Sequence, residues 1–372
     1  MTIPFKKSFY RLPATRDSRC TAWLSIAIAA LLSACASTPL PPSQRSDGVA
    51  TSPENIAVAP PRSSADENTL RQLVALQDRL DRVAAPLLVN NTPLCKGNAR
   101  NLLGFTAKNR YSYSTEFSSA AQKLFNLDER LQVTGVLAGS GAARVGIARG
   151  DGLVAVEDKP LPQGENAERQ AAAVLAPLVG KRTNVKLTLL RNGANQTLDV
   201  PLTPACAFRV ELGNTDAINT YGDGRRVLVT RGMMQFAQSD QELGLVIARE
   251  LAHDILSHPT QRRDSATIGS VIDNLIRIRP ELGMVTGLAG IKPYAQELDA
   301  AADFLGVYVA ARAGYNTADA STFWRRLAER TPASVPNGFT ALHPATSYRL
   351  AAVDRAASAV RTKQASNKPL LP

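Results

Sequence analysis

Every histidine of this chain, and there are three, lies in a segment that could do metal chemistry. One segment runs Arg249-Glu250-Leu251-Ala252-His253, with His258 five residues on; the other runs Ala341-Leu342-His343-Pro344. On a helix, His-Glu-x-x-His sets two imidazoles at i and i+4 on one face, where they share a zinc ion. The glutamate between them can then deprotonate a metal-bound water. Here Glu250 and His253 hold the base and second-ligand positions, but Arg249 stands where the first ligand belongs. A guanidinium is permanently charged and has no lone pair to offer a cation. Whether the chain is an enzyme therefore turns on one residue.

The elements that must position these side chains are legible from their spacing. Ser239-Asp240-Gln241-Glu242 reads as a capping-box start, and Leu243, Val246, Ile247, Leu251 and Ile255 form one apolar stripe. Arg249, Glu250 and His253 thus share a turn of one helix. Arg225 to Thr230 reads as a strand before it, and 294–313 as a later helix closed by Gly314. His258 reads as a polar helix-end residue. The stretch from Ile268 to Ile291 is apolar but broken by Asp273, Arg277, Arg279, Pro280 and Glu281, so it predicts buried helices and a loop rather than a membrane span.

Upstream the character changes. Residues 66–92 carry Leu70, Leu73, Val74, Leu76, Leu80 and Val83 at helical spacing, predicting an amphipathic helix that ends near Pro86. Residues 95–205 alternate short β-rich runs with Gly turns. The run from Gly135 to Pro162 closely resembles the core of a bacterial PDZ domain, with its turns at Gly139-Ser140 and Gly150-Asp151. Leu102-Leu103-Gly104-Phe105 resembles the carboxylate-binding loop of that fold. The resemblance implies that backbone N–H groups of Leu103, Gly104 and Phe105 receive a protein C-terminus, and that a sheet edge accepts the peptide as an added strand.

The N-terminus reads as a processing segment. Lys6, Lys7, Arg11, Arg16 and Arg19 precede a short apolar run, Thr21 to Leu32, which ends in Leu32-Ser33-Ala34-Cys35. This resembles the bacterial lipobox. It implies a signal peptide over 1–34, lipid on Cys35, and a membrane-anchored protein facing the periplasm, with the outer membrane as the expected site. Residues 35–65 are a Pro-rich tether. Export leaves Cys95 and Cys206 in an oxidising compartment, where they are candidates for one disulfide. The net charge of +11 falls to about +7 once the basic leader is gone. On an exported protein that excess suits anionic head groups or acidic partners; nucleic acid is not expected. The last residues, 364–372, read as a disordered tail.

Across the last 160 or so residues, four ordered segments resemble the HtpX- and CAAX-prenyl-protease-type zinc endopeptidases. They are Ala217 to Gly232, Glu250 to His253, Tyr294 to Tyr315, and His343-Pro344 to Arg349. The resemblance implies an α+β chain: a PDZ-like β-rich domain, then a mainly α gluzincin-type metallopeptidase domain over 206–363 with a small edge β-sheet. It implies zinc as cofactor and unfolded or extended envelope polypeptides as partners. Carried over by position, Glu250 is the general base, His253 a zinc ligand and Asp299 the third ligand, one methylene shorter than the family's glutamate. Asp303 and Arg349 would support the ligands from behind. Two outcomes stay open. An Arg249–Asp299 ion pair could replace the metal and leave a pseudo-peptidase that binds peptide without cutting it. Alternatively His253, Asp299 and His343 could hold zinc in a rearranged site with Glu250 still the base.

Overall fold

A β-rich section and a mainly helical section make up the architecture. The computed structural model describes residues 62–281, 291–330 and 342–372. The expected signal segment, Cys35 and nearly all of the tether lie outside them, and so does the stretch 282–290. All the described elements belong to one unit, 59–372.

Helix α1 (Arg62–Asn90) opens the described chain. It does not stop near Pro86 as its spacing predicted but runs on to Asn90. Proline removes one helical hydrogen bond. Its neighbours Ala84, Ala85 and Leu87 are almost fully buried, and that packing carries the helix through the lost bond. Two sections of β structure follow. Strands β1 (Ala99–Leu102) and β8 (Thr203–Cys206) pair antiparallel and close the base of the β-rich unit. Between them β2 (Phe105–Lys108), β3 (Gln132–Val136), β4 (Gly152–Val156), β5 (Lys159–Pro160), β6 (Asn184–Arg191) and β7 (Ala194–Pro201) form one sheet. Its order is β2-β3-β4-β6-β7, with β5 on β4. Helices α2 (Thr115–Phe125), α3 (Gly141–Arg144) and α4 (Ala167–Val179) lie between these strands in the chain. Inward positions Val133, Leu153, Val185, Leu187, Leu189 and Val200 build a separate core, on which Val174 and Leu175 of α4 pack.

A disulfide joins Cys95 to Cys206, with Cα atoms 5.5 Å apart. It fastens the two chain crossings between this unit and the rest, next to the Ala99–Cys206 end of the β1–β8 ladder.

The remainder is mainly helical. A three-stranded sheet, order β10-β11-β9, is made of β9 (Arg209–Gly213), β10 (Thr220–Gly222) and β11 (Arg226–Thr230). Helices α5 (Arg231–Phe236), α6 (Asp240–Ile255), α7 (Ser265–Leu275), α8 (Gln296–Arg312), α9 (Ala320–Arg330) and α10 (Ser347–Ala365) follow. The largest core gathers Leu80, Val83 and Leu87 of α1, Leu243 to Ala252 of α6, Val307 to Ala310 of α8, and Val353, Ala356 and Val360 of α10. The tail is not disordered as expected. After α10 the chain returns to α8, where Arg312 donates to the Leu370 carbonyl at 3.2 Å and Leu370 packs on the core. Two leucines between prolines, Pro369-Leu370-Leu371-Pro372, gave no periodic signal for this contact. Among the described residues no helix is long and apolar enough to cross a membrane.

Candidate functional site

Helix α6 carries the center of the site, and its ends show why it starts and stops where it does. The Ser239 hydroxyl accepts the Glu242 amide at 3.2 Å, capping the N-terminus. At the other end Ser257 sits at φ 61°, Ser257 N–H reaches the Asp254 carbonyl at 3.0 Å, and His258 N–H reaches the His253 carbonyl at 3.0 Å. These two bonds form a Schellman motif. Between the caps, every residue from Leu243 to Asp254 is buried.

Helix α8 crosses α6 at close range because of Gly306. A Cβ there would stand 3.0 Å from the Arg249 Cα. One and two turns before Gly306, Asp303 and Asp299 therefore face Arg249. Its Nη2 lies 3.1 Å from Asp299 Oδ1 and its Nε 2.9 Å from Asp303 Oδ1. The guanidinium carbon sits 5.1 Å over the Trp324 ring of α9, a cation–π contact in a dry setting. Arg349, on α10, grips Asp303 with two bonds of 2.7 and 2.9 Å and donates to the carbonyls of His343 and Pro344. It thereby ties the His343 loop to α8.

Asp299 Oδ1 is the meeting point. His343 Nδ1 lies 2.8 Å from it, Arg249 Nη2 3.1 Å and His253 Nε2 3.3 Å. Glu250 sits beside them, accepting the Thr220 hydroxyl of β10 at 2.8 Å, with His343 Nε2 at 3.5 Å. Burial alone would push Asp299 up; His343, His253 and Arg249 together hold its carboxyl well below the usual range. Burial pushes both rings down to about 4, with Arg249 adding to the effect. Both are therefore neutral at pH 7. Burial and the Glu250 charge raise Asp254 well above an ordinary acid.

Residues 188–357 match the sequence model of Peptidase family M48. This chain carries a peptidase family M48 domain. Over 164 residues it is 29% identical to a protein from Vibrio cholerae serotype O1 named as a putative beta-barrel assembly-enhancing protease. The match covers 40% of this chain and 34% of that relative, so the chain spans about a third of the relative's length.

Family M48 is generally zinc-dependent, and the fit of this copy can be tested on its own atoms. His253, Asp299 and His343 each offer a ligand atom, all within 4.8 Å of one another, and two imidazoles with a carboxylate are a zinc donor set. The surroundings disagree. A fixed cation already occupies the approach to Asp299, and it cannot be deprotonated. Two guanidiniums, Arg249 and Arg349, face three carboxylates, Glu250, Asp299 and Asp303, so the carboxylates already have cationic partners without a metal. The arrangement as it stands does not fit a catalytic metal. It is the inverse of one: a central anion held by hydrogen bonds from Arg249 and His343 instead of a central cation ringed by lone pairs.

The structure thus brings Arg249, Glu250, His253, Asp299, Asp303, His343 and Arg349 together. Leu103, Gly104 and Phe105 lie in the β-rich unit instead. Leu103 and Phe105 pack half-buried on its core, and Gly104, at φ 85°, has its carbonyl held by Leu137 N–H and the Ser140 hydroxyl. Three contributors escaped the sequence reading. Trp324 underlies Arg249. Tyr294 stacks on His343 at 5.2 Å and approaches His253 at 4.4 Å. His258, expected to be a polar helix-end residue, is buried with Nδ1 3.1 Å from His253 Nδ1. Only His258 left a sequence signal, its five-residue spacing from His253.

Proposed function

We propose that this chain is an exported envelope lipoprotein that binds extended polypeptides, and that its family M48 domain does so without metal-dependent hydrolysis. The Arg249 guanidinium, set against Asp299 and Asp303 in the place of a ligand, carries this reading. A hydrolase of this class needs a Lewis-acidic ion with an open position for water. Here Arg249 takes the charge-balancing role, and Glu250 has no activated water to deprotonate. The relative's name as a beta-barrel assembly-enhancing protease supports an envelope setting, and the lipobox-like run ending at Cys35 supports an anchor there. Peptide capture falls to the PDZ-like unit, at Leu103, Gly104 and Phe105, beside β2, which is the edge strand of its sheet.

The spacing of His253, Asp299 and His343 favours a second reading, a rearranged zinc site with Glu250 as base. Metal analysis and casein cleavage decide between the two. The first reading expects no stoichiometric zinc and no cleavage in the wild type. It also expects zinc binding and Glu250-dependent cleavage in the Arg249→His/Asp299→Glu double variant, because that restores both ligands. Arg249→Ala supplies no ligand and should restore nothing. Wild-type protein with one zinc per chain, cleaving casein and losing that activity on Glu250→Gln, would establish the second reading instead.

A further inference from the structure

We propose that the cleft between α1 and the outer face of the β-rich sheet binds an extended polypeptide segment carrying a lysine or arginine, whose side chain pairs with Asp81. This rests on the function proposed above, capture of extended polypeptides. It gives them an internal side chain to be recognised by, where that reading uses a C-terminus.

The cleft has the size of a chain segment. It encloses about 1170 Å³, beyond the roughly 300–1,000 Å³ of a small-molecule pocket. Its α1 wall runs from Leu70 to Leu88, about 27 Å of helix, which matches about eight residues of extended chain. The facing wall is the sheet. Along β2, Phe105 and Ala107 pack on the core of the β-rich unit, so Thr106 and Lys108 project from the other face. There the Thr106 and Thr134 hydroxyls meet at 3.3 Å and border the cleft, where they can donate to or accept from a passing main chain. Strand β9 borders it too, but its free edge is closed. The Gln77 side-chain amide accepts from Leu212 N–H at 3.1 Å and donates to the Val210 carbonyl at 3.4 Å. An entering chain is therefore read by side chains and does not extend β9.

Charge selects the occupant. Most charges on the walls are matched: Arg149 pairs with Asp78, Arg279 with Glu116 and Lys123 with Glu67. Asp81 is not. Among the described residues it makes no ion pair, and its Oδ1 accepts only the neutral Gln77 amide, at 2.7 Å. Lys108, whose charge acts on it from β2, lies over the Tyr113 ring instead. Burial raises Asp81 to about 6, with Asp78 and Glu211 adding to the effect. At neutral pH this carboxylate costs the fold stability, and a cation bound beside it removes that cost. An apolar end completes the cleft, where half-buried Val74, Leu124, Phe125 and Ile278 line it. Val74 lies two turns before Asp81 on the same side of α1, about 10 Å away, so an apolar side chain about three residues from the cation would reach it.

The test uses the full-length chain and fluorescent peptides of about eight residues, amidated so that no C-terminal carboxylate is present. One carries a central lysine with phenylalanine about three residues away; a second has norleucine in place of the lysine. Fluorescence anisotropy should show the lysine peptide binding, and the norleucine peptide binding at least about tenfold more weakly. Asp81→Asn should bind both peptides alike, at the norleucine level, while melting no lower than the wild type. A residue that only supports the fold would lower the melting point and leave the lysine preference in place. Thr134→Trp, which fills the cleft from the sheet side, should abolish binding of both. Equal binding of the two peptides by the wild type overturns the proposal, and so does an Asp81→Asn that keeps the preference for lysine; these two decide the matter even where Thr134→Trp fails to fold. A dimer that Thr134→Trp dissolves would assign the cleft to a second copy of the chain and overturn it as well. A lysine-free peptide with a free C-terminus keeps the two readings apart. Its binding, without that of the lysine amide, sinks the cleft alone; binding of the lysine amide alone keeps the cleft and removes C-terminal capture; binding of neither sinks both.

Discussion

Arg249 is an unusual residue to bury, and its cost is met by partners on two helices, α8 and α9. Guanidinium groups are retained in dry interiors when several acceptors surround them and the net charge cancels. Asp299, Asp303 and the Trp324 face supply those conditions. Removing one member of such a cluster strands the others. Arg249→Ala should therefore lower stability by about 3–5 kcal/mol, read from urea unfolding. A loss under about 1 kcal/mol would mean that the carboxylates find other compensation. Ser257 makes the opposite case. A β-carbon in the left-handed region is mildly strained, and the Schellman position it fills suits glycine. Ser257→Gly should raise stability by about 0.5–1 kcal/mol while keeping His258 in place. Only the first of these positions was legible beforehand. The spacing put Arg249 on the ligand face, but nothing in it indicated that His258 returns beneath His253, because that follows from one residue's φ.

At the scale of elements, the site is where α6 and α8 touch backbone to backbone. Gly306 permits this, and the two aspartates one and two turns away are delivered to Arg249 as a consequence. Gly306→Ala would place a methyl 3.0 Å from the Arg249 Cα and push the helices apart. It should lower stability by about 1–3 kcal/mol, the usual cost of overpacking. Unchanged stability in thermal melts would show that the crossing has slack. The disulfide acts on another pair of elements, the strands β1 and β8 that close the β-rich unit. Cys95→Ala with Cys206→Ala opens a link spanning 111 positions and should cost about 2–5 kcal/mol. Comparison of oxidised and variant protein in urea checks this, and equal midpoints would count against it.

The whole molecule should be sensitive to mild acid, and the sign follows from the buried rings. In the folded chain His253 and His343 protonate only near pH 4, whereas unfolded histidine does so near 6.5. Between those values the unfolded chain binds more protons, so stability is full above about 6.5 and falls as pH drops toward 4. Each ring contributes up to about 3 kcal/mol to that loss. Asp81 works the other way. Burial raises it to about 6, so it costs stability above that pH and the cost fades as pH falls below it. Asp81→Asn should raise stability at pH 7.5 by about 1 kcal/mol, allowing for its partial exposure, and should steepen the acid loss. Urea midpoints at pH 7.5 and 5 test both signs, and a wild type more stable at pH 5 than at 7.5 would contradict the histidine argument.

The sequence by itself determined the family, the helix bearing Glu250 and His253, the β-rich unit before it, and the residues competing for the site. It could do so because periodicity and motif spacing are local properties, written within one turn or one strand. It did not determine that Arg249, His253 and His343 converge on one oxygen of Asp299. The four side chains come from α6, α8 and a loop almost a hundred residues from α6, and their convergence depends on a glycine crossing and on Arg349 tying the loop down. Nor did it settle whether Asp299 would serve as a ligand or as an anion held by hydrogen bonds. That choice depends on which protons neighbouring groups carry, and burial together with hydrogen bonding, both products of the tertiary structure, sets those protons.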